Sequence, residues 1–266
     1  MSSTDPHAGY GIVPRRKSTY PRTNGEFLDL PRVIAEFVLD DQARPGYGPG
    51  ASFFLQGSCF AENLYNELKL SGHPCYYNAV VEALNSPFAN LHYFHALLEH
   101  PAEPVFAELA KATVLVLTVG VAPCWFRKDS GEFVMAPDLR RMELFEQRTL
   151  SVKQSTEALA AIVDLVYKIN PRIEIVLTLS PVPLARTFEF DSAIVADCVS
   201  KCTLRAAIHE AILAYAGRKP AYFPAFEIVR WVGGHAANAY GDDGLPRHVS
   251  KEYVKHIIAS FLKRSV

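Results

Sequence analysis

Short apolar runs alternate with longer amphipathic stretches along the chain from residue 51 onward. The apolar runs predict strands, which cover residues 51–55, 75–77, 113–119, 173–179 and 221–223. The stretches between them repeat apolar residues at helical spacing, and they predict helices over 60–70, 86–100, 151–169 and 191–215, with a last helix after Ser250. Alternation of this kind predicts an α/β fold in which helices cover both faces of a parallel sheet.

Two segments depart from the alternation. Residues 1–50 are rich in Pro, Gly and Arg, and within them the segment 28–39 has the pattern of a short helix. We therefore divide the chain into an extended, partly disordered N-terminal arm over 1–50 and a folded domain over 51–266. The second departure, Trp125–Val134, predicts a small hairpin that turns at 129–131.

Composition excludes several classes of protein. Lys and Arg number 27 against 28 Asp and Glu, so the net charge is -1 and no basic footprint for nucleic acid is expected. No stretch approaches the roughly 18 apolar residues that a membrane-spanning helix needs. The five cysteines are an odd number, and the first residues lack a secretion signal, so we expect reduced thiols and a cytoplasmic protein.

Ser58 lies where the first predicted strand ends and the first helix begins. A hydroxyl at such a junction lies near free backbone N–H groups and the positive end of the helix dipole, which would stabilise a developing oxyanion. Ser58 is therefore a candidate nucleophile. The competing interpretation is that Ser58 caps the helix, which is the commoner task of a serine in this position.

The residues that follow the predicted strands indicate a ligand site at the same edge of the sheet as Ser58. Ligands of open α/β sheets bind beyond the carboxyl ends of the strands. Small, polar or turn-forming residues follow each strand here, as a cleft with close backbone approach requires: Gly57-Ser58, Asn78, Gly120, Ser180-Pro181 and Pro224. Loops favour such residues in any case, so the pattern does not define the chemistry.

His248 is the histidine best placed to act as a general base for Ser58, because it lies in the loop just before the last helix. Asp243 precedes it in the same loop, so both side chains could project into one cleft, where the carboxylate would orient the imidazole. The competing interpretation is a surface loop in which neither residue is related to Ser58.

Three cysteines raise other possibilities. Cys59 is a rival nucleophile, although its side chain should point away from that of Ser58. Cys198 and Cys202 lie on an apolar stripe of the predicted helix 191–215, which predicts that both are buried in the core. The sequence has no phosphate loop, dinucleotide fingerprint or zinc ribbon, so we expect no cofactor and no metal.

The segment Gly57-Ser58-Cys59-Phe60-Ala61 spells the motif of the GSCFA domain family, within the wider SGNH/GDSL hydrolase-like group. The chain resembles that family over residues 51–262. Further segments resemble its blocks in the same order: Asn78 with Asn85, 118–120, 151–152, 179–182, 200–201 with 204–205, and 222–224 with 227–228.

The resemblance implies a flavodoxin-like, three-layer α/β/α sandwich with a central parallel sheet of about five strands. Residues 51–266 would then form a GSCFA/SGNH-like catalytic domain. By position, Ser58 would be the nucleophile, His248 the general base and Asp243 the residue that orients it.

The resemblance also implies an oxyanion hole, formed by the Ser58 N–H with Gly120 and the side chain of Asn85 or Asn78. The sequence departs from the family pattern here, because Gly120 is followed by Val-Ala-Pro-Cys-Trp in place of Thr-Ala-Trp. A second departure is the loop from Asp243 to His248, which is two residues longer than usual and makes Asp242 a rival orienter.

The implied function is that of an SGNH-like serine hydrolase or O-acyltransferase that acts on an ester through an acyl-enzyme. Its expected partner is a small-molecule or glycan ester, with no nucleic acid and no membrane span, and the sequence does not predict an oligomeric state. The alternative is a non-catalytic module that binds a glycan or acyl group on the same scaffold, because fold does not determine function.

Overall fold

The computed structural model describes residues 18–39, 47, 50–236 and 238–263. Within these ranges the chain forms eight strands: β1 (Phe53–Gly57), β2 (Cys75–Ala79), β3 (Val114–Val119), β4 (Pro123–Arg127), β5 (Phe133–Val134), β6 (Phe145–Thr149), β7 (Glu174–Leu179) and β8 (Ala221–Phe223). Five of them form a parallel sheet in the order β2-β1-β3-β7-β8. The predicted central sheet of about five parallel strands is confirmed.

Helices precede, connect and follow these strands: α1 (Leu30–Val33), α2 (Cys59–Leu70), α3 (Pro87–Glu99), α4 (Pro104–Lys111), α5 (Val152–Ile169), α6 (Ala193–Ala214), α7 (Ala225–Glu227) and α8 (Lys251–Lys263). Short 3₁₀ segments lie at Asn24–Leu28, Glu82–Leu84 and Leu139–Leu144, and π-helical turns at Ile34–Val38 and Ile228–Val232. None of the helices in the described ranges has the length and apolar character to cross a bilayer.

The sheet separates two hydrophobic cores. One core packs α2, α8 and the segment 27–39 against one face of the sheet, and the other packs α3, α4, α5 and α6 against the opposite face. Every residue of β1 and β3 is buried, as expected for strands covered on both faces. The chain is therefore a three-layer α/β/α sandwich, as predicted.

The strand order changes direction at β1 and β3, and in an open α/β sheet a crevice is expected beyond the carboxyl ends of such strands. The chain passes from β1 to β2 on one side, and then returns past β1 to form β3 on the other side. Such a reversal leaves a gap between the flanking connections, which is where ligands of this fold class bind. Ser58 follows β1 and Gly120 follows β3, so both predicted site residues lie at this crevice.

The segment after β3 is more elaborate than the predicted hairpin. β4, β5 and β6 form a three-stranded antiparallel sheet in the order β5-β4-β6, with the predicted turn between β4 and β5. β6 and α4 were not predicted.

The prediction that Cys198 and Cys202 are buried is wrong, because both are exposed. α6 buries its opposite side, which includes Asp197, Ser200 and Lys201. The prediction assumed that the apolar side of the helix is the buried one. The polar side is buried instead, because its side chains form hydrogen bonds with the loops after β3 and β7, and a polar group with a partner can be buried.

Much of the predicted N-terminal arm lies outside the described residues, namely 1–17, 40–46 and 48–49. The helical character predicted for 28–39 is confirmed by α1 and the π-helical turn that follows it. Phe27, Leu30, Val33 and Ile34 are buried in the same core as α8. The boundary between residues 50 and 51 stays a prediction.

Candidate active site

Ser58 lies at the end of β1 and at the start of α2, and the glycine before it makes this position possible. Gly57 has a φ of 151°, a conformation that L side chains rarely adopt, and a Cβ built on it would lie 2.7 Å from Thr118 Cβ. The glycine therefore allows β1 to lie close to β3 while the chain turns sharply into α2. Ser58 is itself buried, with 7% of its surface exposed.

The Ser58 hydroxyl does not cap α2. Ser58 occupies the N-cap position, and its carbonyl accepts the Glu62 N–H at 3.1 Å, but its side chain makes no capping hydrogen bond. Neither the Ser58 N–H nor its hydroxyl has a hydrogen-bond partner among the residues described. The capping interpretation therefore holds for the backbone of Ser58 and leaves its Oγ available for chemistry.

His248 and Asp243 form a hydrogen-bonded pair in the loop before α8. His248 Nδ1 lies 2.8 Å from Asp243 Oδ2, and Asp243 Oδ1 accepts the Leu245 N–H at 2.9 Å. The hydrogen bond from the Leu245 N–H is the main cause that lowers the pKa of Asp243, and the hydrogen bond with His248 lowers it further. The carboxylate therefore stays ionised beside the imidazole. Asp242 is engaged elsewhere, because its Oδ2 accepts the Lys251 N–H at 2.8 Å.

The loop over residues 241–250 folds back toward the carboxyl end of the sheet. Arg247 makes this connection: its Nη1 donates to Glu82 Oε1 and to the Pro183 carbonyl, both at 2.9 Å. Glu82 lies between β2 and α3, and Pro183 lies in the segment after β7. Arg247 therefore ties the loop to the segment after β2 and to the segment after β7.

His248 Nε2 is unpaired within the part of the chain that the structure describes, and it makes no hydrogen bond with Ser58 Oγ. The structure therefore contains the pair His248–Asp243 and an unengaged Ser58, with the link between them open. Catalytic hydrogen bonds in unliganded sites are often long and tighten when substrate binds.

Gly120 and Asn85 are held together by their backbones. The N–H groups of Gly120 and Val121 donate to the Asn85 carbonyl at 2.8 and 3.1 Å. The Gly120 N–H, expected as an oxyanion donor, is thus already engaged and unavailable for that role. The lack of a side chain at Gly120 instead allows the Asn85 side chain to lie close to it, because a Cβ on Gly120 would lie 3.3 Å from Asn85 Nδ2.

The side chains of Asn85 and Asn78 differ in availability. Asn85 is fully buried, and its Nδ2 has no hydrogen-bond partner among the described residues. Asn78 Nδ2 donates to Gln56 Oε1 at 3.0 Å. Of these two predicted candidates, only Asn85 has an amide nitrogen that makes no hydrogen bond to the described residues.

Sequence reasoning missed Lys201 as a member of this region. Lys201 is 2% exposed, and its Nζ donates to the Gly120 carbonyl at 2.6 Å. Burial lowers the pKa of Lys201 to about 8, and the nearby Asp197 carboxylate opposes that shift. The sequence contained one signal for this role. Lys201 is a charged residue among the small and apolar residues of a predicted helix, where an apolar residue would be expected.

Cys59, the rival nucleophile, is exposed while Ser58 is buried. Desolvation of its sulfur raises the pKa of the Cys59 thiol, and the carboxylates of Glu82 and Glu62 raise it further. A raised pKa disfavours the thiolate, which is the reactive form of cysteine.

The candidate site thus combines a buried, unengaged serine at the carboxyl end of β1 with a histidine–aspartate pair in the loop before α8. The chain belongs to the GSCFA family, whose family model matches residues 94–261. The matched range begins within α3, whereas the resemblance seen in the sequence covers residues 51–262. Ser58 therefore lies outside the part of the chain that the family model matches. None of the curated proteins with which the chain was compared matches it in sequence.

Solved structures with a similar chain path include a proposed GDSL-like lipase from Parabacteroides merdae, with 12% identity and a TM-score of 0.47 over 84% of this chain and 98% of that one. A proposed platelet activating factor from Streptococcus pneumonia has 15% identity and a TM-score of 0.48 over 91% and 92% of the two chains. A carbohydrate esterase family 2 enzyme with a carbohydrate binding domain, from Corynascus thermopiles, has 12% identity and a TM-score of 0.45 over 82% and 67%.

Proposed function

We propose that the chain is an SGNH-like serine hydrolase or O-acyltransferase that acts on an ester, with carbohydrate esters among the candidate substrates. The observation that carries the proposal is the state of Ser58: its hydroxyl stands at a helix N-terminus without capping it, and a His–Asp pair lies in the loop that returns to the same crevice. A serine used for structure alone would be expected to donate to or accept from its surroundings.

In the proposed reaction, Ser58 Oγ attacks the acyl carbon and passes its proton to His248 Nε2. Asp243, bonded to Nδ1, holds the imidazole and stabilises its positive charge. The Ser58 N–H and Asn85 Nδ2 donate to the oxyanion. The alcohol then leaves with the proton from His248, and water or an acceptor hydroxyl releases the acyl group from Ser58 by the reverse steps.

A second candidate function is a non-catalytic module that binds a glycan or acyl group in the crevice. The observation that favours it is the open link between Ser58 Oγ and His248 Nε2, which share no hydrogen bond in the described structure. This module would bind an ester or a glycan without forming a covalent intermediate.

Labelling with a fluorophosphonate probe, followed by mass-spectrometric mapping, separates the two functions. We expect the probe to modify Ser58 in the wild-type protein and to modify nothing at that position in Ser58→Ala. Ser130→Ala, which changes an exposed serine in the turn between β4 and β5, should keep wild-type labelling. An unlabelled wild-type Ser58 in a folded protein would contradict the enzyme proposal and favour the binding module.

A further inference from the structure

Four carboxamide side chains form a single hydrogen-bonded row beside the crevice. Asn78 Nδ2 donates to Gln56 Oε1 at 3.0 Å, and Gln56 Nε2 donates to Asn90 Oδ1 at 2.7 Å. Asn90 Nδ2 donates in turn to Asn85 Oδ1 at 3.2 Å. Gln56, Asn90 and Asn85 are all buried. Every step runs in the same direction, from Asn78 at one end to Asn85 at the other.

A backbone carbonyl fixes that direction. Asn90 Nδ2 also donates to the Ser86 carbonyl at 2.8 Å, and because a carbonyl oxygen can only accept, the nitrogen of the Asn90 amide must face this side. Asn85 must then present its oxygen to Asn90, since two NH₂ groups cannot bond to each other. Ser86 is held in place as the N-cap of α3, where its Oγ accepts the Ala89 N–H at 3.2 Å.

Asn85 is left with one unused hydrogen-bonding group. Its carbonyl accepts from Gly120 and Val121, its N–H donates to the Glu82 carbonyl at 3.1 Å, and its Oδ1 accepts from Asn90. Its Nδ2 is buried and unpaired within the described residues. An unpaired buried donor costs about 1–3 kcal/mol, so a group of this kind calls for an explanation.

We propose that Gln56 and Asn90 are positioning residues that hold the Asn85 Nδ2 group toward the oxyanion of the reaction at Ser58. Nδ2 lies against Gly120, at the carboxyl end of β3, and Ser58 follows the adjacent strand β1. This inference rests on the proposed function and names what orients its donor. With the row reversed, Asn85 would present Oδ1, a partial negative charge that repels the oxyanion.

The test is Asn90→Asp, measured as the rate of fluorophosphonate labelling of Ser58, because phosphonylation also places negative charge on an oxygen at the serine. The carboxylate accepts where Asn90 donates, so the Asn85 amide should turn its Nδ2 toward it and its Oδ1 toward the site. We expect the labelling rate at pH 8 to fall about 10²-fold, the effect of losing one oxyanion donor.

The pH profile distinguishes orientation from packing. A buried carboxyl has a raised pKa and becomes protonated as the pH falls, after which it can donate to Asn85 Oδ1 again. The ratio of wild-type to Asn90→Asp labelling rates should therefore shrink from pH 8 to pH 5. A ratio that is constant over this range, or a wild-type rate in the folded variant, would overturn the inference.

Two further variants complete the experiment. Asn170→Asp is the matched control, because Asn170 is 7% exposed and its amide donates to the Leu109 and Ala112 carbonyls, away from the row; its labelling rate should stay that of the wild type. If Asn90→Asp does not fold, Gln56→Glu is the second test, because it replaces the amide that donates to Asn90 by a carboxylate that can only accept. Gln56 acts on Asn85 through Asn90, so we expect labelling to slow by about tenfold. An unchanged rate would overturn the inference.

The outcome also separates this inference from the proposed function. If wild-type Ser58 is not labelled at all, the proposed function fails and the inference fails with it. If wild-type Ser58 is labelled and both row variants match its rate, the inference alone fails.

Discussion

The two halves of the candidate site differ in how firmly the fold holds them. Ser58 and Asn85 form the strand-end half, and their exposed fractions are 7% and 0%. His248 and Asp243 form the loop half, and 46% and 32% of their side-chain surfaces are exposed. Sheet and helix contacts surround the first half, whereas the second depends on a loop fastened by Arg247.

This difference matches the tasks of the two halves in the proposed reaction. Groups that bind an oxyanion act best when they are fixed before the reaction begins, and the strand-end half has that character. A general base must approach both the nucleophile and the leaving group, and a loop can supply such an adjustment when substrate binds. In the proposed reaction, the loop would bring His248 Nε2 to Ser58 Oγ when a substrate binds.

The largest expected effect comes from disturbing the strand-end half at Gly57. Gly57→Ala would place a Cβ 2.7 Å from Thr118 Cβ at a φ of 151°. Backbone strain and overpacking should together lower the free energy of unfolding by about 4 kcal/mol, measured by denaturant unfolding. Gly244→Ala, at a φ of 82° with open space around it, should cost about 1 kcal/mol. Equal costs would contradict the rigidity assigned to the strand end.

In the loop half, the next largest effect should come from Asp243→Asn. The amide keeps the shape of the side chain but cannot stabilise a positive imidazolium, so the labelling rate of Ser58 should fall by about 10²- to 10³-fold. Asp242→Asn is the control, because the Asp242 carboxylate accepts the Lys251 N–H and makes no hydrogen bond with His248 among the described residues. A larger loss in Asp242→Asn than in Asp243→Asn would reassign the orienting carboxylate.

Arg247→Gln should have a smaller effect, because it loosens the loop without removing a reacting group. Partly exposed ion pairs contribute about 0–1 kcal/mol, so we expect a fall of up to about fivefold in labelling rate and little change in stability. Arg148→Gln, which breaks the exposed pair with Glu146 on β6, serves as the control and should leave labelling unchanged. A loss as large as that of Asp243→Asn would mean that the loop is as rigid as the strand end.

Cys59→Ser should have the smallest effect. The raised pKa of the thiol keeps it protonated, and Cys59 is exposed beside the buried Ser58. Labelling of Ser58 should therefore keep its wild-type rate, as followed by mass spectrometry of the modified peptide. Loss of the label in Cys59→Ser, with Ser58→Ala still labelled, would move the nucleophile to the cysteine.

The sequence predicted the parts of the molecule whose cause is local. β3 and residues 175–179 of β7 form mostly apolar runs that are buried on both faces, and such runs are recognisable in a sequence without knowledge of the neighbouring strands. The hydrogen-bonded pair of Asp243 and His248 could also be predicted from the sequence, because both residues lie in one short loop. β6 was harder, because its sequence Phe-Glu-Gln-Arg-Thr is mostly polar and it becomes a strand by pairing with β4.

Features that depend on partners from distant elements were not predictable. The buried side of α6 is polar at Asp197 and Lys201 because their partners come from the segments after β3 and β7. The engaged N–H of Gly120 depends on a carbonyl supplied by Asn85, from a different connection. The choice between Asp242 and Asp243 likewise required the position of α8, whose first N–H binds Asp242.

The segment 27–39 shares its core with α8, the helix that continues directly from the His248 loop. α1 and the π-helical turn after it contact α8, and the Phe27 ring stacks on His235 at a centroid distance of 4.0 Å. A proteolytic cut before residue 40 should therefore loosen α8, the helix that follows the loop carrying the proposed base His248. A slower labelling of Ser58 after such trimming would show that the N-terminal segment supports His248, although the cut lies far from both residues in the chain.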